Sequence, residues 1–155
     1  MTDFKGKGII HATKTISDDI SAAVGRVQLR HLDEYTEAQR RNAKMYTELL
    51  KDLPLTLPKE KDYAQHCFLR YVTRTEKRDA LQSYLKKQGI DSRVLYRTPA
   101  HLYAYYRETY SYKRGDLPVA EKIKSTEIGL PEPTKDRTRW EIEYTTSKVK
   151  EFFAG

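Results

Sequence analysis

Residues 67–96 read CFLRYVTRTEKRDALQSYLKKQGIDSRVLY and combine two kinds of sequence pattern. Residues 67–73 are rich in aromatic and β-branched side chains, which predicts a strand. Thr75 then stands at the N-cap of a predicted helix that has its apolar residues on one face and ends at Gly89. Residues 92–96 predict a second strand. Two strands that flank one helix indicate an α+β domain rather than a helical bundle.

A long amphipathic helix is predicted before this module. Ser17 is a favourable N-cap, and acidic residues follow it in the first turn. Apolar residues then recur at spacings of three and four and form one stripe that ends before Pro54: Ile20, Val24, Val27, Leu32, Tyr35, Ala43, Tyr46, Leu49 and Leu50. Gly25 predicts a bend with close packing. The stripe is longer than one small domain needs, so we expect a partner to share it.

The remainder of the chain completes the predicted fold. Residues 116–123 predict a short helix that is capped by Asp116, residues 128–130 predict a third short strand, and a last helix carries Trp140. The predicted fold class is therefore α+β, with a long N-terminal helix, a small sheet of about three strands and flanking helices. We expect residues 1–16 to form an N-terminal arm and residues 17–155 to form one domain.

Composition narrows the class of protein. The 155 residues include 29 Lys and Arg against 22 Asp and Glu, for a net charge of +7, and the mean hydropathy is −0.81. Because both signs are interspersed, a solvated surface and an attraction to anionic partners both remain open. No apolar run approaches the ~20 residues of a membrane span, and the N-terminus lacks a signal-peptide core. These features predict a cytoplasmic protein.

Cysteine and histidine usage gives no metal or disulfide site. Cys67 is the single cysteine, so no internal disulfide can form, and its position in a predicted strand favours a buried thiol over a nucleophile. The four histidines are scattered without the spacing of metal ligands. Neither a phosphate-binding loop nor a catalytic constellation can be assembled from these residues alone.

Residues 93–114 are the most unusual segment. They hold six of the twelve tyrosines and five Arg or Lys, with Glu108 as the only acid. Basic residues interleaved with aromatic residues suit stacking on bases or sugar rings together with phosphate contacts. The alternative is a tyrosine-rich segment that packs on its own domain. His101, which follows Pro99 in a predicted loop, could exchange a proton or bind a ligand, although a lone histidine is more often structural.

Several segments also resemble one enzyme family in the same order. Residues 16–33, ISDDISAAVGRVQLRHLD, resemble the motif M-S-D-x-x-A-A-x-G-x-x-Q-L-x-x-L-D of the DegT/DnrJ/EryC1/StrS family of pyridoxal-phosphate (PLP) sugar aminotransferases. The basic pair Arg40 and Arg41 and the aromatic Tyr46 match the family as well. Further similar stretches are RDAL and GIDSR within residues 78–93, YRTPAH at 96–101, GDLPVAE at 115–121 and GLP at 129–131. The resemblance covers residues 16–153.

The resemblance implies the small C-terminal domain of a fold-type-I aminotransferase. In that family the lysine that forms the Schiff base with PLP, and the aspartate that pairs with its pyridinium nitrogen, belong to a preceding large domain. Lys5, Lys7 and Lys14 do not stand in the family's lysine context. Where the family has Asn-x-Arg-Met before Ser17, this chain has TKTI at residues 13–16. PLP is therefore implied for the complete family enzyme, while we expect this chain alone to bind none and to be inactive.

The resemblance also implies roles on the substrate side. Tyr96 and His101 match the family motif Y-x-x-P-l-H, which lies near the nucleotide-sugar at a dimer interface, so both residues are expected to contact substrate. No catalytic, cofactor or metal residue is carried over. The implied partners are a second copy or a chain that carries the large PLP domain, with no membrane. The alternative is a non-catalytic nucleic-acid-binding or regulatory module that uses the basic, tyrosine-rich surface, although nucleic acid is the less favoured partner.

Overall fold

The computed structural model describes residues 18–155. This part of the chain divides into two compact units: a smaller unit of residues 18–28 and 96–125, and a larger unit of residues 29–95 and 126–155. The elements follow in the order α1 (Asp19–Arg30), α2 (Leu32–Leu50), β1 (Tyr71–Arg74), α3 (Arg78–Lys87), a 3₁₀ turn (Ala100–Leu102), α4 (Ala104–Tyr110), α5 (Pro118–Thr126), β2 (Glu127–Leu130) and α6 (Arg139–Ala154).

The larger unit is built on an antiparallel pair of strands. β1 and β2 run side by side, with Tyr71 opposite Leu130 and Arg74 opposite Glu127. Helices α2 and α3 both contact α6, and α3 also contacts β2. Helices and strands contribute fully buried side chains to one core: Tyr46, Leu50, Tyr71, Leu81, Leu85, Ile128, Ile142 and Val149. The predicted α+β fold class is thereby confirmed.

The sheet has two strands instead of the predicted three or so. Residues 92–96 contribute a single bridge, in which the backbone N–H groups of Arg93 and Gly129 each donate to the other's carbonyl at 2.9 and 2.8 Å. Thr56 makes a comparable bridge to Arg74 on the outer edge of β1. The prediction of a continuous strand over residues 92–96 is wrong, because only one residue pair there reaches the ladder.

The first strand begins later than predicted. Phe68 has a φ of 51°, and its backbone N–H donates to Nδ1 of His66 at 2.7 Å, while the two rings stack with centroids 4.2 Å apart. A left-handed residue cannot continue a strand, so regular pairing starts at Tyr71. Cys67 lies in this irregular stretch and is exposed, so the prediction of a buried thiol is wrong.

The predicted long helix is interrupted at His31. Helix α1 ends at Arg30 and α2 begins at Leu32, with His31 between them at φ −104° and ψ 2°. Among residues 18–155, no atom outside the helix's own backbone lies within 4 Å of the place a Cβ on Gly25 would occupy, so the predicted close packing is absent from this part of the chain. Ser17, the predicted N-cap, lies outside the described residues. The Asp18 carboxylate accepts from the backbone N–H of Ser21 at 2.7 Å, as an N-cap does.

Helix α3 ends as predicted. Gly89 has a φ of +75°, and its N–H donates to the carbonyl of Lys86 at 3.1 Å. The N–H of Ile90 donates to the carbonyl of Leu85 at 2.9 Å, and both side chains are buried. This pair of bonds is the Schellman motif, in which a glycine at C′ satisfies the last carbonyls of a helix.

The C-terminal elements also agree with the sequence. The short helix begins at Pro118 and continues beyond Ile123 to Thr126, and the strand over residues 128–130 is β2. Helix α6 starts with a capping box, in which the N–H of Thr138 donates to Glu141 at 2.8 Å and the N–H of Glu141 donates to the Thr138 hydroxyl at 3.2 Å. From residue 18 to residue 155, no helix has both the length and the apolar character required to cross a bilayer.

Candidate functional site

The tyrosine-rich segment contains two short helical stretches, at Ala100–Leu102 and Ala104–Tyr110. After Tyr96 the chain forms the 3₁₀ turn and then α4, which stops at Ser111 because that residue has a φ of 59°. The loop predicted at His101 is therefore a 3₁₀ turn. Tyr96 and His101, the two predicted substrate residues, both belong to the smaller unit and lie on either side of Pro99.

Tyr96 and His101 have opposite environments. The Tyr96 residue is 70% exposed, whereas the His101 side chain is only 3% exposed. Tyr96 is thus accessible to a large ligand from solvent. His101 can meet a ligand only through a narrow part of its ring.

His101 forms a hydrogen-bonded pair with Glu121 of α5. Its Nε2 lies 3.1 Å from Oε1 of Glu121, whose side chain is 20% exposed. The ring of Tyr112 packs edge-on against the imidazole, with centroids 6.0 Å apart and planes at 78°. These two contacts fix the plane of the imidazole ring in the smaller unit.

The Glu121 carboxylate is itself anchored. The backbone N–H of Gly115 donates to the same Oε1 at 2.8 Å, from a turn in which the N–H of Lys113 donates to Asp116 at 2.9 Å. Gly115 has a φ of +95°, which favours glycine at this position. The hydrogen bond from Gly115, together with that from His101, lowers the pKa of Glu121 below its ordinary value. Asp116 thus closes this turn and is not the predicted cap of α5.

The tyrosines of this segment contact one another. Tyr106 stacks on Tyr110 with centroids 6.2 Å apart, and Tyr105 meets both rings edge-on. Tyr110 also contacts Tyr112, yet Tyr110 remains 60% exposed. The segment therefore packs partly on itself and still presents aromatic surface, and Arg107 within it is exposed.

The larger unit contains a separate cleft of about 440 Å³. Trp140 and Tyr144 stack along one wall with centroids 5.4 Å apart and planes at 12°. The arginines in the cleft are paired with acids, as in the 2.7 Å contact between Arg137 and Glu141. Sequence reasoning did not identify this cleft, because its walls come from segments far apart in the chain.

The described residues do not by themselves fit PLP. A lysine that forms a Schiff base works from a desolvated pocket, which lowers its pKa. Between residues 18 and 155 every lysine is exposed or half-buried. Lys5, Lys7 and Lys14 lie outside the described residues.

Comparison with known proteins identifies the family. The sequence model of the DegT/DnrJ/EryC1/StrS aminotransferase family matches residues 5–144, and the chain belongs to this family. It is 39% identical over 140 residues to a pleiotropic regulatory protein of Geobacillus stearothermophilus, covering 88% of this chain and 37% of that protein. It is 31% identical to the dTDP-3-amino-3,6-dideoxy-alpha-D-galactopyranose transaminase of Aneurinibacillus thermoaerophilus, covering 74% of this chain and 31% of that enzyme.

Solved structures give the same result for the fold. DesV of S. venezuelae superposes with a TM-score of 0.85 at 30% identity, covering 90% of this chain and 37% of DesV. The chain thus spans about a third of the length of these relatives. The family is PLP-dependent, so PLP is implied for its complete enzymes, and the resemblance inferred from the sequence is confirmed.

Proposed function

We propose that residues 17–155 form the C-terminal, substrate-side domain of a cytoplasmic PLP-dependent aminotransferase that acts on nucleotide-sugars, and that residues 1–16 lead into it. The observation that carries this proposal is the family match over residues 5–144, together with the superposition on DesV. The substrate class is supported by the dTDP-sugar named for the Aneurinibacillus relative. The lysine that holds PLP comes from the large domain of the complete enzyme.

Tyr96 and His101 contact the nucleotide-sugar in this proposal. An exposed tyrosine can stack on a sugar or base, and a histidine nitrogen can hydrogen-bond a hydroxyl or phosphate oxygen. The shared location of both residues in the smaller unit supports a common role. The exposed side chains of Arg97 and Arg107, in the same segment, supply positive charge for the diphosphate.

The face of α1 contacts the large domain or a second copy. Ile20, Val24 and Val27 are 79%, 56% and 51% exposed, although they lie on one side of the helix. Apolar side chains aligned in this way are characteristic of a covered surface. This partner would share the stripe that the sequence predicts.

A chimera tests the proposed function. The matched C-terminal third of the Aneurinibacillus transaminase is replaced by this chain, and turnover of that enzyme's own dTDP-amino sugar is measured. Activity is expected, and Tyr96→Ala should weaken sugar binding by about 1–3 kcal/mol, the cost of one lost polar or stacking contact. Tyr63→Ala, which removes a tyrosine 88% exposed in the larger unit, is the matched control.

His101→Ala is measured with its thermal unfolding in parallel, because the side chain is buried. Weaker binding with an unchanged melting temperature supports substrate contact. A folded chimera that binds the dTDP-sugar equally well with Tyr96→Ala and His101→Ala would show that the substrate assignment is wrong.

A further inference from the structure

The imidazole of His101 has one ring nitrogen engaged. In the part of the chain that the structure describes, its hydrogen bonding runs through Nε2, 3.1 Å from Oε1 of Glu121. An ionised carboxylate only accepts hydrogen bonds, so the proton of this contact belongs to Nε2. Nδ1 is consequently the nitrogen left to interact with anything else. The His101 side chain is only 3% exposed, so a ligand can approach only a small part of the ring.

Glu121 is well suited to hold the ring still. Its Oε1 accepts simultaneously from His101 and from the backbone N–H of Gly115 at 2.8 Å, so the carboxylate cannot rotate away without losing a second bond. Gly115 is set by a left-handed backbone in a turn that Asp116 closes. A partner restrained by the backbone gives the ring a defined orientation before a ligand arrives.

We infer that Glu121 is the positioning residue of His101: it keeps the proton on Nε2 and directs Nδ1 toward an oxygen of the nucleotide-sugar. The inference rests on the proposed function, in which His101 contacts that substrate. A neutral ring accepts from a sugar hydroxyl at Nδ1, and a protonated ring donates from Nδ1 to a diphosphate oxygen. Glu121 is the last residue of the GDLPVAE motif, so the positioning of His101 gives that motif a role.

Proton and nitrogen NMR of the 155-residue chain, labelled with ¹⁵N, provides the first test. The Nε2–H proton of His101 should be visible downfield and should exchange slowly, unlike the ring protons of His31, whose side chain is 49% exposed. Glu121→Gln removes the negative charge at nearly constant shape, so the signal should move upfield and exchange faster. Glu108→Gln, an exposed position in the same segment, should leave it unchanged.

Binding of dTDP, followed by NMR titration of the same proteins, is the second test. Glu121→Gln and His101→Ala should each weaken binding by about tenfold, the effect of one misplaced or missing hydrogen bond. If His101→Ala binds dTDP as the wild type does, the proposed substrate contact of His101 is wrong and the positioning role falls with it. If His101→Ala weakens binding and Glu121→Gln does not, the substrate role stands and the positioning role is overturned.

If Glu121→Gln does not fold, NMR of the wild-type protein alone tests the inference. A His101 ring that carries its proton on Nδ1 instead of Nε2, or an Nε2–H that exchanges as fast as the ring protons of His31, would overturn it. A slowly exchanging Nε2–H whose signal shifts together with that of the Gly115 amide as Glu121 is protonated supports it, because both groups share one carboxylate oxygen.

Discussion

Arg40 on helix α2 holds the Glu60 carboxylate with both terminal guanidinium nitrogens, at 2.7 and 3.2 Å. The same arginine donates to the backbone carbonyl of His66 at 2.6 Å, and Glu60 accepts from the backbone N–H of His66 at 2.9 Å. The hydrogen bond from Arg40 lowers the pKa of Glu60, with a further contribution from the His66 N–H. Two side chains therefore fasten residues 60–66, which belong to no helix or strand, to α2.

Arg40→Ala should release residues 60–66 while the core remains folded. Without the arginine, Glu60 and the His66 carbonyl lose their common donor, and local opening becomes easier. Trypsin should then cut after Lys59 or Lys61 several times faster than in the wild type, as followed by mass spectrometry. Arg41→Ala removes the exposed neighbouring arginine and should not alter cleavage. Equal cleavage of both variants would contradict the fastening role.

The stacked tyrosines of the core should respond differently to loss of their hydroxyls. Tyr46 and Tyr71 have centroids 4.9 Å apart, and the Tyr71 hydroxyl is 2.8 Å from that of Thr47. The Tyr46 hydroxyl is buried and meets no hydrogen-bond partner of good geometry in the described chain. Tyr71→Phe should cost about 1 kcal/mol in urea unfolding, whereas Tyr46→Phe should cost nothing or stabilise. The reverse order would be evidence against this arrangement.

Alkaline pH provides an independent check of the same pair. Burial raises the pKa of Tyr46 and of Tyr71 to about 12, whereas an unfolded tyrosine titrates near ~10. The unfolded chain therefore loses these protons at lower pH than the folded chain does. The free energy of unfolding should decrease as the pH rises from the pKa of the unfolded tyrosines through the pKa of the folded ones. Each phenylalanine variant should show a shallower fall.

Two glycines should respond oppositely to alanine. Gly89→Ala places a Cβ on a backbone with a φ of +75° and should destabilise the larger unit by about 1 kcal/mol. Gly25→Ala lies within α1, where a Cβ meets no atom of the described residues within 4 Å, and should raise the helix content or stability by up to about 1 kcal/mol. Circular dichroism during thermal unfolding measures both. A loss of stability on Gly25→Ala would contradict this expectation and would indicate that Gly25 is closely packed, as the sequence predicts.

The chain by itself should associate through α1 as its concentration rises. The double variant Ile20→Glu with Val24→Glu places charge on the apolar face and should shift light scattering toward monomer. Ala22→Glu with Arg26→Gln changes the net charge by the same two units on the opposite face and should leave association intact. A monomeric wild type at millimolar concentration would contradict a shared face.

The 155-residue polypeptide should bind PLP at no defined site. Its described lysines are exposed or half-buried, so borohydride reduction after incubation with PLP should label several of them at low yield. Peptide mapping by mass spectrometry measures the distribution. Stoichiometric labelling of one lysine would show that this segment holds the cofactor unaided.

Local signals in the sequence predicted helices α3, α5 and α6 and the strand β2. The glycine at the end of α3 and the apolar spacing of α6 act within a few residues, so their outcome does not depend on distant contacts. The failures have identifiable causes. Aromatic composition favoured a strand at residue 67, but the hydrogen bond from the Phe68 N–H to His66 selects a left-handed backbone. Asp33 and Glu34 after His31, typical of a first helical turn, were the available signal for the interruption of the long helix.

Only part of the candidate site could be predicted from the sequence. The motif around Tyr96 and His101 identified the segment, because its residues are contiguous. The pairing of His101 with Glu121 joins residues 20 positions apart through an intervening helix and turn, which periodicity cannot predict. Glu121 is present in the GDLPVAE stretch, but no residue close to it in the sequence indicates that His101 is its partner.

The bridges at Thr56 and Arg93 have a consequence for solubility. Exposed strand edges act as templates on which other chains polymerise, and here each outer edge of the small sheet is capped by one backbone pair. The cap at Arg93 requires close approach, since a Cβ on Gly129 would lie 3.4 Å from the Arg93 carbonyl oxygen. An alanine at residue 129 would therefore meet this cap at van der Waals distance, whereas a larger side chain would have to displace the cap and would expose the edge of β2 to other chains.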